Sequence, residues 1–340
     1  MRNGAAANTA APRSVSEGGA SACPPVWPGL PFTSRSLLAP MEGVTEPCFR
    51  DLVLARNAST ALGGAFTEFV RVHEAPTPKR ILRRHMGPLR FAAPVGVQLM
   101  GSDLAKLAHT AANAVECGAP LVDLNFGCPA KGAIAGCAGS ALLRDPAAVE
   151  RVVRCVVEAA GPTPVSAKIR AGFDHDRDLE VLARAAEQGG AALLTVHCRT
   201  RAEAYCDEVD WTRIARAVAA VRIPVCGNGS VLEHADFERM RRETGCAFAM
   251  AGRGALADPW IFSGAQVSAA QAAQFLLEYA HTMAERNQIP AGGLGARVKQ
   301  LLRYWRAGGL VANEDERRSW LAERSGDVLL ARLEQVALNA

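Results

Sequence analysis

A chain of 340 residues with 49% hydrophobic and 21% charged residues is ordinary for a globular protein and long enough to bury a large core without covalent staples. Its net charge of +4 permits an anionic partner without demanding one. No run approaches the ~20 apolar residues that span a bilayer, and the ten cysteines form no C-x-x-C pair, so neither a membrane partner nor a metal site is expected, and cytoplasmic reduced thiols are.

Residues 1–34 are expected to form a disordered extension. As far as Ala22 they are rich in Ala, Gly, Ser and Asn and cannot bury enough surface to offset the entropy of ordering. They also lack the apolar stretch of a signal peptide. From Ser36 onward short apolar runs recur at 37–40, 65–70, 94–100, 121–126, 165–170, 192–197, 223–227 and 247–252, each of strand length. Helical patterns fill the gaps at 47–56, 103–117, 146–160, 178–188, 211–221 and 235–242, whereas 74–86 is basic and less regular. Eight strand–helix repeats imply parallel neighbours joined by crossover helices. They predict an α/β fold, a (β/α)8 TIM barrel over 35–264, with a doubly wound open sheet as the alternative. Polar residues recur at the C-terminal ends of the runs, among them Glu42, Glu68, Gln98, Asn125, Lys168, His197, Asn228 and Arg253. A barrel gathers those ends into one cup, and an open sheet would spread them along an edge. Beyond 264 helical patterns at 268–286, 294–307, 314–324 and 328–338 predict a small C-terminal helical bundle domain over 265–340.

Six segments could carry chemistry. The turn from Asp123 to Lys131 presents Asn125, Cys128 and Pro129 where a strand ends, and Gly127 is expected to allow a turn that a side chain would obstruct. A thiol there can give a proton to a substrate carbon; a buried structural cysteine is the competing reading. Lys168 interrupts an apolar strand, so it should meet an anionic or carbonyl-rich group, such as the charge a reduced flavin carries near N1 and O2, unless it snorkels to solvent. His197 closes another apolar strand and could bond a flavin or a substrate carbonyl, or be a satisfied core residue. Gly227 to Ser230 and Gly252 to Gly254 are glycine-bearing turns after the seventh and eighth runs, where barrels often bind phosphate, and Arg253 adds a planar donor. In the tail, Lys299, Arg303 and Arg306 fall at i, i+4 and i+7 opposite Leu301, Leu302 and Trp305, a basic face that could grip a phosphate backbone or merely be solvated.

In order along the chain, 38–43, 67–71, 97–101, 125–129, 167–170, 197–200, 227–229 and 252–254 together resemble the tRNA-dihydrouridine synthase family, and within it the bacterial subgroup acting on uridine 16. The resemblance implies an FMN-bearing barrel reduced by NADPH, followed by a tRNA-binding helical domain, acting as a monomer. Hydride would pass to uracil C6, with Cys128 giving the proton to C5. By the same likeness Pro40, Met41, Glu42, Gln98, Lys168, His197, Asn228, Gly229, Gly252 and Arg253 match flavin-binding positions. Ser230 falls among them in place of a common acidic residue, and Phe126 stands where the subgroup usually has a second cysteine. Arg71, Asn125, Tyr205, Arg297, Lys299 and Tyr304 match positions that touch tRNA. A uracil stacked in tRNA cannot reach the bottom of a cup, so the base must be extruded. The alternative is an FMN-barrel reductase of a small molecule, dihydroorotate dehydrogenase-like, which would not need the basic tail.

Overall fold

The computed structural model describes residues 26–203, 209–287 and 289–338. Among them are nine strand segments, all parallel: β1 Ser36–Leu38, β2 Gly64–Phe66, β3 Val70–Arg71, β4 Val95–Met100, β5 Val122–Phe126, β6 Val165–Arg170, β7 Leu193–His197, β8 Val225–Asn228 and β9 Phe248–Ala251. β1 pairs with both β2 and β9, which closes the sheet into the eight-stranded barrel. The predicted run 65–70 is two segments along one edge of β4. Phe66 pairs with Gly96 and Val70 with Leu99, so four steps on one strand face three on the other. The extra residue makes a bulge between β2 and β3. Bulges re-aim side chains near functional sites, and this one sits at Glu68.

Side chains alternate across each strand, so odd and even positions separate into an outer and an inner set. Leu37, Phe66, Leu121, Leu193 and Phe248 make the inner layer at the N-terminal ends, and all are buried. Above them come Gln98, Asp123, Ser166 and Thr195, also buried, and above those Asn125, Lys168, His197 and Asn228. The barrel interior therefore grades from apolar at one mouth to polar at the other. The expectation of disorder as far as residue 34 is overturned for 26–34. The Val26 N–H donates to the Phe32 carbonyl at 2.9 Å, Leu30 and Phe32 are buried, and Phe32 meets the Phe248 ring edge-on at 5.6 Å. A Trp, a Leu and a Phe within six residues supply enough apolar surface to plug the apolar mouth, and the Ala-rich composition farther upstream hid that signal.

The outer helices follow the sequence periodicity closely. Pro47–Arg56, Leu104–Glu116, Pro146–Ala160, Leu179–Gln188, Thr212–Ala220 and His234–Thr244 lie within two residues of the expected ends, and the basic gap holds a further helix, Lys79–Met86. The tail consists of Ala269–Asn287, Ala291–Leu302, Glu314–Ala322 and Gly326–Leu338. Its apolar residues share one continuous cluster with the barrel's outer layer: Phe49 packs edge-on against Phe275 and Tyr279 at 6.0 and 6.1 Å. The expected helix 294–307 stops at Leu302, because the Arg306 N–H bonds to the Ala257 carbonyl and Gly308 and Gly309 adopt positive φ. Arg303 still closes the last turn, its N–H on the Lys299 carbonyl at 3.0 Å, whereas Arg306 leaves the helical face that spacing assigned to it beside Lys299. No helix among the described residues is long and apolar enough to cross a membrane.

Candidate active site

The polar mouth of the barrel is a cavity of about 430 Å3, within the usual range for small-molecule sites. Pro40, Met41, Glu42, Asn125, Cys128, Lys168, His197, Asn228, Gly229, Ser230, Gly252 and Arg253 line it, as does Tyr304 from the tail. Strand ends from β1 and β5 to β9 thus converge as a barrel requires. Among the flavin-matching positions Gln98 lies elsewhere, fully buried beneath the cup.

A polar relay rises from that depth to the thiol turn. Asp123 accepts from Ser166 Oγ and Gln98 Nε2, both at 2.6 Å. Asn125 Nδ2 donates to Gln98 Oε1 at 2.8 Å, and Asn125 Oδ1 accepts the backbone N–H groups of Gly127 and Cys128, both at 2.9 Å. Arg170 Nε clamps the Gly127 carbonyl at 2.9 Å. One asparagine thereby satisfies two backbone donors that the turn would otherwise leave unpaired. Gly127 is not the residue the turn depends on: a Cβ there would meet Arg170 Cγ at 3.6 Å, an ordinary contact. Gly139 is. Its φ is +59°, and a Cβ would come within 3.1 Å of both Cys128 Cβ and the Cys128 carbonyl oxygen, so the segment after the thiol folds tightly over it. Cys128 is a half-buried free thiol packed with Phe69 and Met100.

The charges around the cup are mostly positive. Burial pushes the Lys168 ammonium down to about 8, Arg170 adds to the effect, and Asp123 opposes it. Burial lifts the Asp123 carboxyl to about 6 against the bonds from Gln98 and Ser166 and the charge of Lys168. His197 is held well below the usual imidazole range by burial and by Lys168, Arg170, Arg199 and Arg253. It is therefore neutral. Its Nδ1 accepts the Arg199 backbone N–H at 3.2 Å, which places the proton on Nε2 and makes that nitrogen a donor. Glu42 and Glu68 are both raised by burial, and Glu42 is raised further by Glu68.

At the glycine-bearing turns Gly229 has φ +128°, and a Cβ there would lie 2.4 Å from Cys198 Sγ. Ser230 sits at φ +52°. Its Oγ accepts from Arg199 Nη2 at 2.9 Å, yet among the described residues the fully buried Arg199 finds no hydrogen-bond partner for Nε and Nη1. Sequence reasoning missed Arg199, Asp123, Phe69 and Arg170 as site residues. Asp123 had a signal, a carboxylate inside an apolar strand like Lys168. Arg199 had none, because its missing carboxylate is visible only in three dimensions. The set suits a flavin mononucleotide: an ammonium and a neutral imidazole for the ring, and two backbone turns backed by an uncompensated buried guanidinium for the phosphate.

The residues expected to touch tRNA scatter more widely. Asn125 and Tyr304 line the cup. Arg71 is exposed at the rim with its guanidinium 5.9 Å from the Phe69 ring centre. Arg297 is half-buried, with its fork on Glu46 at 2.7 and 2.9 Å and on the Gly43 carbonyl at 2.8 Å, so it braces the 41–46 loop against the tail. Lys299 Nζ donates to the Glu323 carbonyl. Tyr205 lies outside the described residues.

Residues 37–289 match the family model described as dihydrouridine synthase (Dus). A tRNA-dihydrouridine(16) synthase of Cupriavidus necator is 41% identical over 237 residues, covering 67% of this chain and 72% of that protein. A tRNA-dihydrouridine(16) synthase of Haemophilus influenzae is 34% identical over 284 residues, covering 79% and 90%. A tRNA-dihydrouridine synthase B of Pseudomonas aeruginosa is 40% identical over 235 residues, covering 68% and 69%.

Proposed function

Because the chain belongs to the dihydrouridine synthase family, whose members are flavin-dependent oxidoreductases, we propose that it reduces the C5–C6 double bond of a uridine in tRNA, with FMN as its flavin and NADPH as electron donor. The observation that carries this reading is that Cys128 and Lys168 line one cavity, with the tail's Tyr304 on its wall. Bound there, FMN would supply the hydride that uracil takes at C6. Cys128 gives its thiol proton to C5, which balances the hydride and completes the reduced ring. Lys168 neutralises the charge a reduced flavin ring carries near N1 and O2, and His197 donates from Nε2 without adding charge. Pro40, Met41 and Glu42 wall the ring, and Asn228, Gly229, Ser230, Gly252 and Arg253 hold the phosphate, with Arg199 behind Ser230. Gln98 acts one layer down, through Asn125.

Tyr304 is 39% exposed. An exposed aromatic ring on the wall of a cup is placed to stack on an extruded base. That favours a nucleotide in RNA over a small free substrate, for which a tail residue on the wall has no use. Two relatives named for position 16 support uridine 16 as the target.

The test is Cys128→Ala assayed on unmodified tRNA. NADPH should still bleach the flavin, since that half-reaction does not use the thiol, while dihydrouridine formation should fall ~10^2- to 10^4-fold, the range for losing a positioned acid. Dihydrouridine formed at the wild-type rate would refute the reading.

A further inference from the structure

A second concavity of about 800 Å3 opens beside the cup and is lined by Arg80, Arg83, Arg84 and Arg90, with Arg286 from the tail and Glu68 at its inner edge. The two cavities are one chain segment apart. Met41 and Glu42 line the cup while Glu46 and Pro47 line the groove, and Glu68 faces the groove while Phe69 faces the cup.

The helix Lys79–Met86 builds this wall. Leu82 and Met86, four residues apart, are buried, and Arg80, Arg83 and Arg84 are exposed on the other side. The helix is held firmly. The buried Arg50 guanidinium donates to the carbonyls of His85 at 3.0 Å and Met86 at 2.6 Å, capping its C-terminal end. Like charges at i+3 and i+4 repel, and here no acid relieves them. Arg80, Arg83, Arg84 and Arg90 form no ion pair among the described residues. Several other surface arginines are paired, Arg151 with Asp145, Arg154 with Glu150, Arg216 with Glu180, Arg241 with Glu238 and Arg318 with Asp315, and the exposed arginines left without an ion pair among the described residues, such as Arg35, Arg177 and Arg222, are not gathered along one groove as these four are. The modest net charge of +4 therefore conceals a local excess. The groove's own acids are engaged: Arg297 holds Glu46, and the Gly43 and Val44 backbone N–H groups hold Glu68.

We propose that this groove binds the phosphate backbone of the tRNA whose uridine enters the cup, with Arg80, Arg83, Arg84 and Arg90 as the phosphate contacts. The proposal rests on the tRNA reading above. Guanidinium groups without an ion pair, three on a pinned helix and Arg90 held by the Gly87 and Leu89 carbonyls just after it, are a pre-organised match for a polyanion, and the position beside the cup lets one RNA span both. It adds a second grip to the one that spacing alone assigned to Lys299, Arg303 and Arg306.

The experiment measures the affinity of the flavin-loaded full chain for unmodified tRNA between 50 and 300 mM salt. Each phosphate contact contributes about 0.7–0.9 to the slope of log K against log salt. Arg80→Ala, Arg83→Ala and Arg84→Ala combined should flatten the slope by about 2–3 and weaken binding at least ~10-fold at the low-salt end. The triple lysine variant should retain most of the slope. Arg151→Ala with Arg154→Ala, which removes equal-sign charge from paired positions, should bind like wild type. A triple alanine variant with the wild-type melting profile, slope and affinity overturns the groove and leaves the tRNA reading standing. A wild-type chain that does not bind tRNA overturns both. Binding to anionic lipid vesicles that the triple variant loses, with its tRNA slope unchanged, also overturns the groove's assignment to RNA.

Discussion

Replacing Lys168 with methionine should make the flavin-stripped protein more stable and the flavin-binding protein worse. Burial, with Arg170 beside it, takes the Lys168 ammonium from the usual 10.5 down to about 8, which at 1.36 kcal/mol per pH unit is on the order of 3 kcal/mol against the charged form. The sign follows from proton counting. Between pH 8 and 10.5 the unfolded chain holds a proton that the folded chain has released, so stability rises with pH across that window; below pH 8 the full cost is present. Lys168→Met keeps the side-chain volume and removes the cost, so at pH 7 the variant should gain up to about 3 kcal/mol. Part of that gain is lost because Asp123 gives up a neighbouring positive charge. The advantage should shrink steadily towards pH 10, where the wild-type amine is neutral. Urea unfolding of both proteins at pH 7, 8, 9 and 10, followed by tryptophan fluorescence, reads this directly, and flavin titration should show weaker binding by the variant at pH 7. A stability difference of the same size at pH 7 and pH 10 would refute the reasoning.

Two further substitutions probe the frame of the site. Asn125→Ala removes the acceptor of two backbone N–H groups and the donor to Gln98 Oε1, which should cost about 2–4 kcal/mol in urea unfolding; a cost under about 0.5 kcal/mol would mean the turn holds itself. Gly229→Ala puts a Cβ 2.4 Å from Cys198 Sγ at φ +128° and should cost about 2–5 kcal/mol from strain and overpacking together. Adding Cys198→Ala should recover only the overpacking share, and full recovery would show that backbone strain contributes nothing.

Most of the strands and helices could be read from the chain because their signals are local. Period-2 and period-3.6 patterns at 165–170 and 146–160 need no knowledge of what packs against them. Cys128, Lys168 and His197 could be read for the same reason, as reactive residues where apolar runs end. The misses were non-local. The β2–β3 bulge shows only in pairing with β4. The plug formed by 26–34 depends on an apolar barrel mouth to receive it. The helix expected to reach Ala307 ends at Leu302 because a barrel carbonyl, Ala257, captures the Arg306 N–H. The partners that Arg297 and Lys299 find in the fold, Glu46 and the Glu323 carbonyl, were likewise invisible in the chain.

The order of residues alone determined the alternation of strand and helix, the closure those eight repeats imply, and which side chains could carry a proton or a charge. Those follow from backbone geometry and side-chain chemistry, which each short segment carries with it. Only the tertiary structure decided which charges are answered. Asp123 lies close enough to Lys168 for its carboxyl to feel that charge, and among the described residues Arg199 finds no carboxylate at Ser230 and the arginines of Lys79–Met86 gather on one groove without an ion pair. Neutralisation depends on distance through space and on burial, and neither is written into the spacing of residues along a chain.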